Sequence, residues 1–299
     1  MKIGKLVLPL INPFKWIKAG KWKRNQPKYE RAKGDLELKL YSKLLNTDML
    51  HYGYFDDPNT DPLYISIGDV ERAQIRYAEK IAEEVTQKDS LVLDVGCGMG
   101  GLSNILVKSG FSVEALTPDI NQKKHIDAKY PMVKCHHMKF EDFKERKQFG
   151  TIINSESIQY IDLKKAFGLV EELMEENGRW IITDYFRLHK KGKSKSGHTF
   201  DSFKKELANG PFEIEKEIDI TPNCVPTLKL VNLYIERFVV PGADFGVAKM
   251  KIKLPKLFYM TQDIRDAISK KADKEFAAVD PEKFLNEKKY VLFVLKRKV

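Results

Sequence analysis

The chain is expected to fold as an α/β domain around a doubly wound, mostly parallel seven-stranded sheet, and three observations carry that expectation. Between Leu91 and Asp184, short apolar runs alternate five times with helical runs. The first apolar run ends in a glycine-rich turn, LVLDVGCGMGG at 91–101. The last, Tyr290–Leu295, follows a helical insertion and is expected to lie antiparallel to the sixth strand. Repeated strand–helix units favour a parallel sheet whose ligands bind outside the carboxyl ends of the strands.

Each element has its own signal. Leu36 to Leu45 repeats apolar residues at helical spacing, and an aromatic loop, His51 to Phe55, runs into Asp56-Asp57-Pro58. Ser66-Ile-Gly-Asp69 reads as a capping box opening a helix whose apolar face is Val70, Ala73, Ala78, Ile81, Ala82 and Val85. Strand one ends at Asp94. Gly96, Gly98 and Gly100 then break the strand, because glycine tolerates positive φ and lets backbone N–H groups approach a ligand, and a helix begins near Leu102. Strand two is Phe111–Leu116, followed by Thr117-Pro118-Asp119 and a helix from Asn121; strand three is Met132–His136 and strand four Thr151–Asn154. A helix at Leu163–Met174, a turn at Glu176-Asn177-Gly178 and strand five at Arg179–Asp184 complete the units. Beyond them come a Lys/Gly/Ser loop at 190–197, a helix at Asp201–Leu207 and strand six at Phe212–Ile220. The insertion, at about 223–285, reads as helical. Within it Leu228, Val231, Tyr234, Ile235 and Phe238 share one face of Pro226–Val240, with further helices at Leu257–Ala267 and Asp273–Leu285.

Composition narrows the function classes. The 299 residues are 42% hydrophobic, enough for a sizeable core. Three separated cysteines, Cys97, Cys135 and Cys224, suggest neither a disulfide framework nor a zinc site, so no metal is expected and a reducing, cytoplasmic setting fits. The net charge of +10 is uneven. Residues 1–33 hold ten Lys or Arg against Glu30 alone, which leaves residues 34–299 near neutral as the domain proper. That basic arm also carries Trp16 and Trp22, a pairing of indole and cation suited to an anionic membrane interface. Docking on the domain or on a second subunit in a homo-oligomer stays open for the arm, and nucleic acid is least favoured because no RNA-binding motif accompanies it.

Asp94-x-Gly96-x-Gly98-x-Gly100 resembles motif I of the class I S-adenosylmethionine (SAM) dependent methyltransferases, and its spacing differs from that of dinucleotide folds. His51-Tyr-Gly-Tyr-Phe with Ala73-Gln74, and Leu116-Thr117-Pro-Asp-Ile-Asn121-Gln122, resemble the branch holding tocopherol, sterol and sugar methyltransferases and cyclopropane fatty acid synthases. The resemblance covers roughly residues 45–240. It implies a Rossmann-like SAM methyltransferase with Asp94, Gly96, Gly98 and Gly100 at the methionine part of SAM, Thr117 and Gln122 beside the ribose, and Phe140, Glu141 and Asp142 facing the adenine. Thr117 and Asp142 have an alternative role as helix caps, and Cys97 reads as filler in the turn.

A general base helps when the acceptor is a hydroxyl or phenol. Glu156 after strand four, Tyr160, and His51 in the aromatic loop are the candidates, while Tyr52 and Tyr54 are expected to wall the cofactor and substrate. The position aligned with the bicarbonate-associated glutamate of cyclopropane synthases is Gln159, which argues against cyclopropanation and for O-, N- or C-methylation. An apolar roof at Pro226–Phe238 and the arm together point to a lipophilic or amphiphilic small-molecule acceptor, with the protein peripheral on the inner face of a membrane. An RNA or protein methyltransferase, or a SAM-binding scaffold without turnover, are the alternatives.

Overall fold

The computed structural model describes residues 13–15, 17–18, 21, 46–144, 147–189, 197–277 and 279–298. The expected helix at 36–45 and nearly all of the 1–33 arm lie outside these residues. Helix α1 is Ile67–Ala82, and both bonds of its capping box form between Ser66 and Asp69. Then follow β1 (Leu91–Val95), α2 (Gly101–Lys108), β2 (Ser112–Thr117), α3 (Ile120–Lys129), β3 (Lys134–His137), β4 (Phe149–Ser155), α4 (Leu163–Leu173) and β5 (Met174–Arg187). The second half holds α5 (Phe200–Asn209), β6 (Phe212–Asp219), α6 (Thr221–Tyr234), α7 (Val240–Lys253), α8 (Pro255–Met260), α9 (Gln262–Phe276), α10 (Pro281–Glu287) and β7 (Lys288–Arg297).

The seven strands form one sheet in the order β3-β2-β1-β4-β5-β7-β6. Strands β1 to β5 pair in parallel, whereas β7 slots between β5 and β6 and runs antiparallel to both. Its run from Tyr290 to Leu295 is buried throughout, as a strand covered on both faces requires. Alternate residues feed two cores: Ile181 and Leu292 pack with α1, α2 and α6, while Ile182 and Phe293 face α4 and α5.

Trp180, fully buried on the second face, packs edge-on to Phe167 and Phe212, and its Nε1 donates to Asn154 Oδ1 at 2.9 Å. Trp180→Ala is therefore expected to cost about 3–5 kcal/mol, read as a lower midpoint in denaturant titration.

Three expectations change. The turn expected at Glu176-Asn177-Gly178 lies inside β5, where the register with β4 shifts between Phe149 and Thr151 so that the extra residues bulge outward. Gln87 Nε2 holds the Asn177 carbonyl there at 2.6 Å. The apolar face of Pro226–Val240 formed by Leu228, Val231, Tyr234, Ile235 and Phe238 is packed only at Leu228. Helix α6 buries Thr221, Cys224, Val225, Pro226, Leu228 and Leu230, while Val231, Tyr234 and Phe238 are exposed, and a wider π-type turn at Ile235–Val239 rotates the chain before α7. Finally, the two later helices are redrawn as α8, α9 and α10, because Pro255 and Pro281 each open a helix.

Candidate active site

The site grows from the carboxyl ends of β1, β2 and β4, where a cavity of about 320 Å³ opens. The glycine turn forms its floor. Gly96, at φ +76°, lies so close to the turn after β4 that a Cβ there would sit 2.5 Å from Ser157 Cβ, and its N–H donates to the Leu116 carbonyl. Gly98, at φ +56°, leaves 3.3 Å between a notional Cβ and Leu50. Asp94 at the end of β1 is buried, and its carboxyl is pushed up to about 6 by desolvation, offset in part by the Ser103 hydroxyl donating to Oδ2 at 2.5 Å.

The segment 46–52 covers this floor. Gln74 on α1, nearly fully buried, accepts from Thr47 Oγ1 at 2.7 Å and donates to the His51 carbonyl at 2.8 Å. Asp48 is clasped from α3 by His125, Lys129 and Tyr130. The next stretch is held by α6: the Gly53 N–H donates to Thr227 Oγ1, and Asn223 Nδ2 donates to the Phe55 carbonyl. Gln74→Ala removes the buried anchor, and is expected to cost about 1–3 kcal/mol and to speed proteolysis within 46–52.

His51 is partly buried, its ring lying against Tyr77 with centroids 3.9 Å apart. Its Nδ1 donates to the Tyr52 carbonyl at 2.8 Å, and desolvation pulls its pKa down to about 4. The imidazole is thus neutral near pH 7, and its buried Nε2 has no hydrogen-bond partner among the described residues.

Glu156 stands opposite, directly after β4. It holds φ +48°, the left-handed region a glutamate rarely adopts, and its N–H donates to the Thr183 carbonyl. Its carboxyl accepts the Tyr290 hydroxyl at 2.5 Å. Burial pushes that carboxyl up to about 7, against the lowering effect of Tyr290, the Tyr52 backbone N–H and the nearby Lys288 charge. A glutamate held in an unfavourable backbone region beside a cavity, with its carboxyl desolvated, is a candidate functional residue.

Of the residues expected at the site, Asp94, Gly96, Gly98, Thr117, Gln122, His51, Glu156 and Tyr160 line this one cavity. Thr117 does not cap α3; its hydroxyl donates to Gln122 Oε1 at 2.5 Å, and Asp119 caps the helix instead. Five others stand elsewhere. Gly100, at φ +85°, precedes α2 with its Cα against Ile126. Phe140 is a core residue beside Leu93 and Leu116, and it, Glu141 and Asp142 form a tight turn after β3 that does not reach the cavity wall. Tyr54 lines a second, smaller cavity. No residue of the expected roof, Pro226–Phe238, lines the large cavity; the segment 48–51 does. Asp48 and Tyr290 escaped the sequence reading, because one sits in a polar loop and the other inside an apolar strand.

Residues 70–211 match a family model described as a methyltransferase domain. An uncharacterized methyltransferase of Alkaliphilus oremlandii is 23% identical over 172 residues, 55% of this chain and 72% of the relative. Among solved structures, geranyl diphosphate C-methyltransferase from Streptomyces coelicolor, in complex with Mg2+, geranyl diphosphate and S-adenosyl-L-homocysteine, superposes with a TM-score of 0.61 at 18% identity, covering 83% of this chain and 91% of that one. The [4+2]-cyclase SpnF superposes at 0.62 and 15% identity, covering 88% and 94%. The sheet order, the glycine turn at its carboxyl edge and the matched sequence model agree: this chain carries a class I SAM-dependent methyltransferase domain.

Proposed function

We propose that the chain methylates an O, N or C atom of a small, lipophilic or amphiphilic acceptor, with Glu156 as the general base. The observation that carries the reading is a single cavity lined by the Asp94–Gly98 turn on one side and by the half-buried, left-handed Glu156 on the other.

The wall fits SAM. Asp94 would hold the ligand's ammonium, and the turn from Gly98 onward would offer its carboxylate backbone N–H groups, those of Gly96 and Cys97 being committed to the Leu116 carbonyl. Thr117 and Gln122, already joined by a hydrogen bond, would meet the ribose hydroxyls. When bound, SAM supplies a methyl carbon activated by a sulfonium. The protein's own contribution is to hold the acceptor in line, worth up to roughly 7–11 kcal/mol, and to take its proton. Glu156 suits that second task, since a carboxyl near 7 is part ionised at neutral pH and strong enough as a base to act on a hydroxyl. Neutral His51 would orient the acceptor by accepting a hydrogen bond at Nε2.

Helices α7, α8 and α9 support an amphiphilic acceptor met at an anionic membrane surface. They contain no buried residue, and Phe238, Phe245, Ile252 and Tyr259 recur every seven residues with their side chains exposed, beside Lys249, Lys251, Lys253 and Lys256. Among the described residues, no helix is long and apolar enough to cross a membrane.

The test is to incubate the protein with methyl-labelled SAM and a total cell extract and to separate lipid, metabolite, RNA and protein fractions. Label in the lipid fraction, together with retention on phosphatidylserine vesicles that weakens when the four lysines become glutamine, is the expected result. Label in RNA or protein would overturn the small-molecule reading.

A further inference from the structure

Glu156 faces the large cavity, but its hydrogen bonds lead away from it. Tyr290, fully buried on β7, has its hydroxyl 2.5 Å from Glu156 Oε1 and 2.8 Å from the hydroxyl of Tyr77 on α1. Tyr77 in turn approaches Ser155 Oγ at 3.2 Å and the Thr183 carbonyl at 3.4 Å. Tyr77 and Thr183 also line the second cavity, of about 250 Å³, whose wall includes Lys80, Glu83, Glu84 and Lys216. Thr183 Oγ1 is buried there without a hydrogen-bond partner among the described residues. An orphaned hydroxyl beside a polar cavity of that size is a site for ordered water.

We propose that the second cavity is the proton outlet of the site, and that Tyr290 and Tyr77 pass the proton taken by Glu156 to water held at Thr183. The proposal rests on the reading of Glu156 as the base. Once cofactor and acceptor fill the large cavity, a buried carboxyl has no solvent on that side, so the proton must leave through the protein before the base can act again.

The step balances. The acceptor's X–H bond breaks as its new bond to the methyl carbon forms, and the proton goes to the Glu156 carboxylate. Glu156 then donates it to the Tyr290 oxygen while the Tyr290 proton moves to the Tyr77 oxygen and the Tyr77 proton moves to water. Each hydroxyl ends with one proton, Glu156 is again a carboxylate, and one hydronium leaves. Each tyrosine hydroxyl has an oxygen on either side to which it can donate, as this transfer requires. Neither phenol need ionise, for burial beside Glu156 holds both well above their usual range. The other titratable groups near the chain are His51, Tyr160, Asp184, Tyr185, Cys224 and Lys288. None of them links the two cavities by hydrogen bonds.

Two measurements test the outlet. Exchange of the Tyr77 hydroxyl proton with solvent, read from the deuterium isotope shift on the ¹³Cζ of labelled tyrosine in the full chain, should be fast for so buried a group and at least about tenfold slower in Thr183→Val. In rapid-quench assays with methyl-labelled SAM and the extract fraction that takes the label, Tyr77→Phe should leave the first turnover within about threefold of wild type and slow later turnovers about tenfold or more. Added imidazole should restore them. Unchanged exchange in Thr183→Val, or later turnovers at the wild-type rate in Tyr77→Phe, would overturn the outlet. Loss of the first turnover belongs instead to Glu156→Gln, so the base reading stands or falls separately.

Discussion

Glu156→Gln is expected to lower methyl transfer by about 10²–10⁴-fold while leaving SAM affinity within about twofold of wild type. The amide keeps the shape and still accepts from the Tyr290 hydroxyl, so the site stays built and only the proton acceptor is lost. Rapid-quench transfer and calorimetric SAM binding on the same preparation separate the two quantities. Equal losses in both would mean that Glu156 shapes the cofactor site rather than serving the acceptor.

The same variant has a stability signature. A carboxyl raised from 4.5 to about 7 by burial binds its proton more tightly folded than unfolded. Its contribution is therefore fully present below about pH 4.5 and is lost as pH rises through about 7. Above that, the wild type carries a buried carboxylate at a cost of order 3 kcal/mol at most, which glutamine avoids. Glu156→Gln should accordingly melt higher than wild type at pH 8, and the gap should narrow towards pH 5. An inactive but more stable variant is the pattern of a residue kept for function.

The fold was legible because its signals are local. Each β1–β5 unit announces itself by an apolar run, a break and a helical period, and Ser66 with Asp69 names the start of α1. The motifs also located one side of the cavity wall, since Asp94, Gly96, Gly98, Thr117 and Gln122 sit beside the strand ends that the pattern defines. What the sequence hid depends on contacts far apart in the chain. Phe140 looks like a stacking platform beside acidic neighbours, yet the second core claims its ring. Tyr54 is one residue among several aromatics, and which cavity it reaches is set by its backbone bond to Ala73 and by α6 beyond. The chain from Glu156 to Tyr290 to Tyr77 joins β4, β7 and α1 across 213 positions between the two tyrosines, and no spacing rule could announce it. In α6, apolar residues lie on more than one face, and packing on β7 and α10 selected Cys224, Val225 and Leu228 over Val231 and Tyr234.

Asp94→Asn is expected to weaken SAM binding by about 10–150-fold, the equivalent of 1.5–3 kcal/mol for a hydrogen bond between charged groups. The substitution tests the other wall of the cavity, and its pH dependence identifies the cause. Desolvation holds the Asp94 carboxyl at about 6, so the carboxylate that would pair with the ligand's ammonium is largely formed at pH 7.5 and largely protonated at pH 5. Wild-type SAM affinity should therefore fall by about tenfold per unit below pH 6, whereas the asparagine variant, with no carboxyl at this position to titrate, should lose that slope between pH 5 and 6. Ser103 supplies the control. Its hydroxyl donates to the carboxylate and lowers its pKa, so Ser103→Ala should move the wild-type inflection upward while leaving the charge itself in place at pH 8. An inflection unmoved in Ser103→Ala, or a sloping profile in Asp94→Asn, would assign the pH dependence to a group other than Asp94.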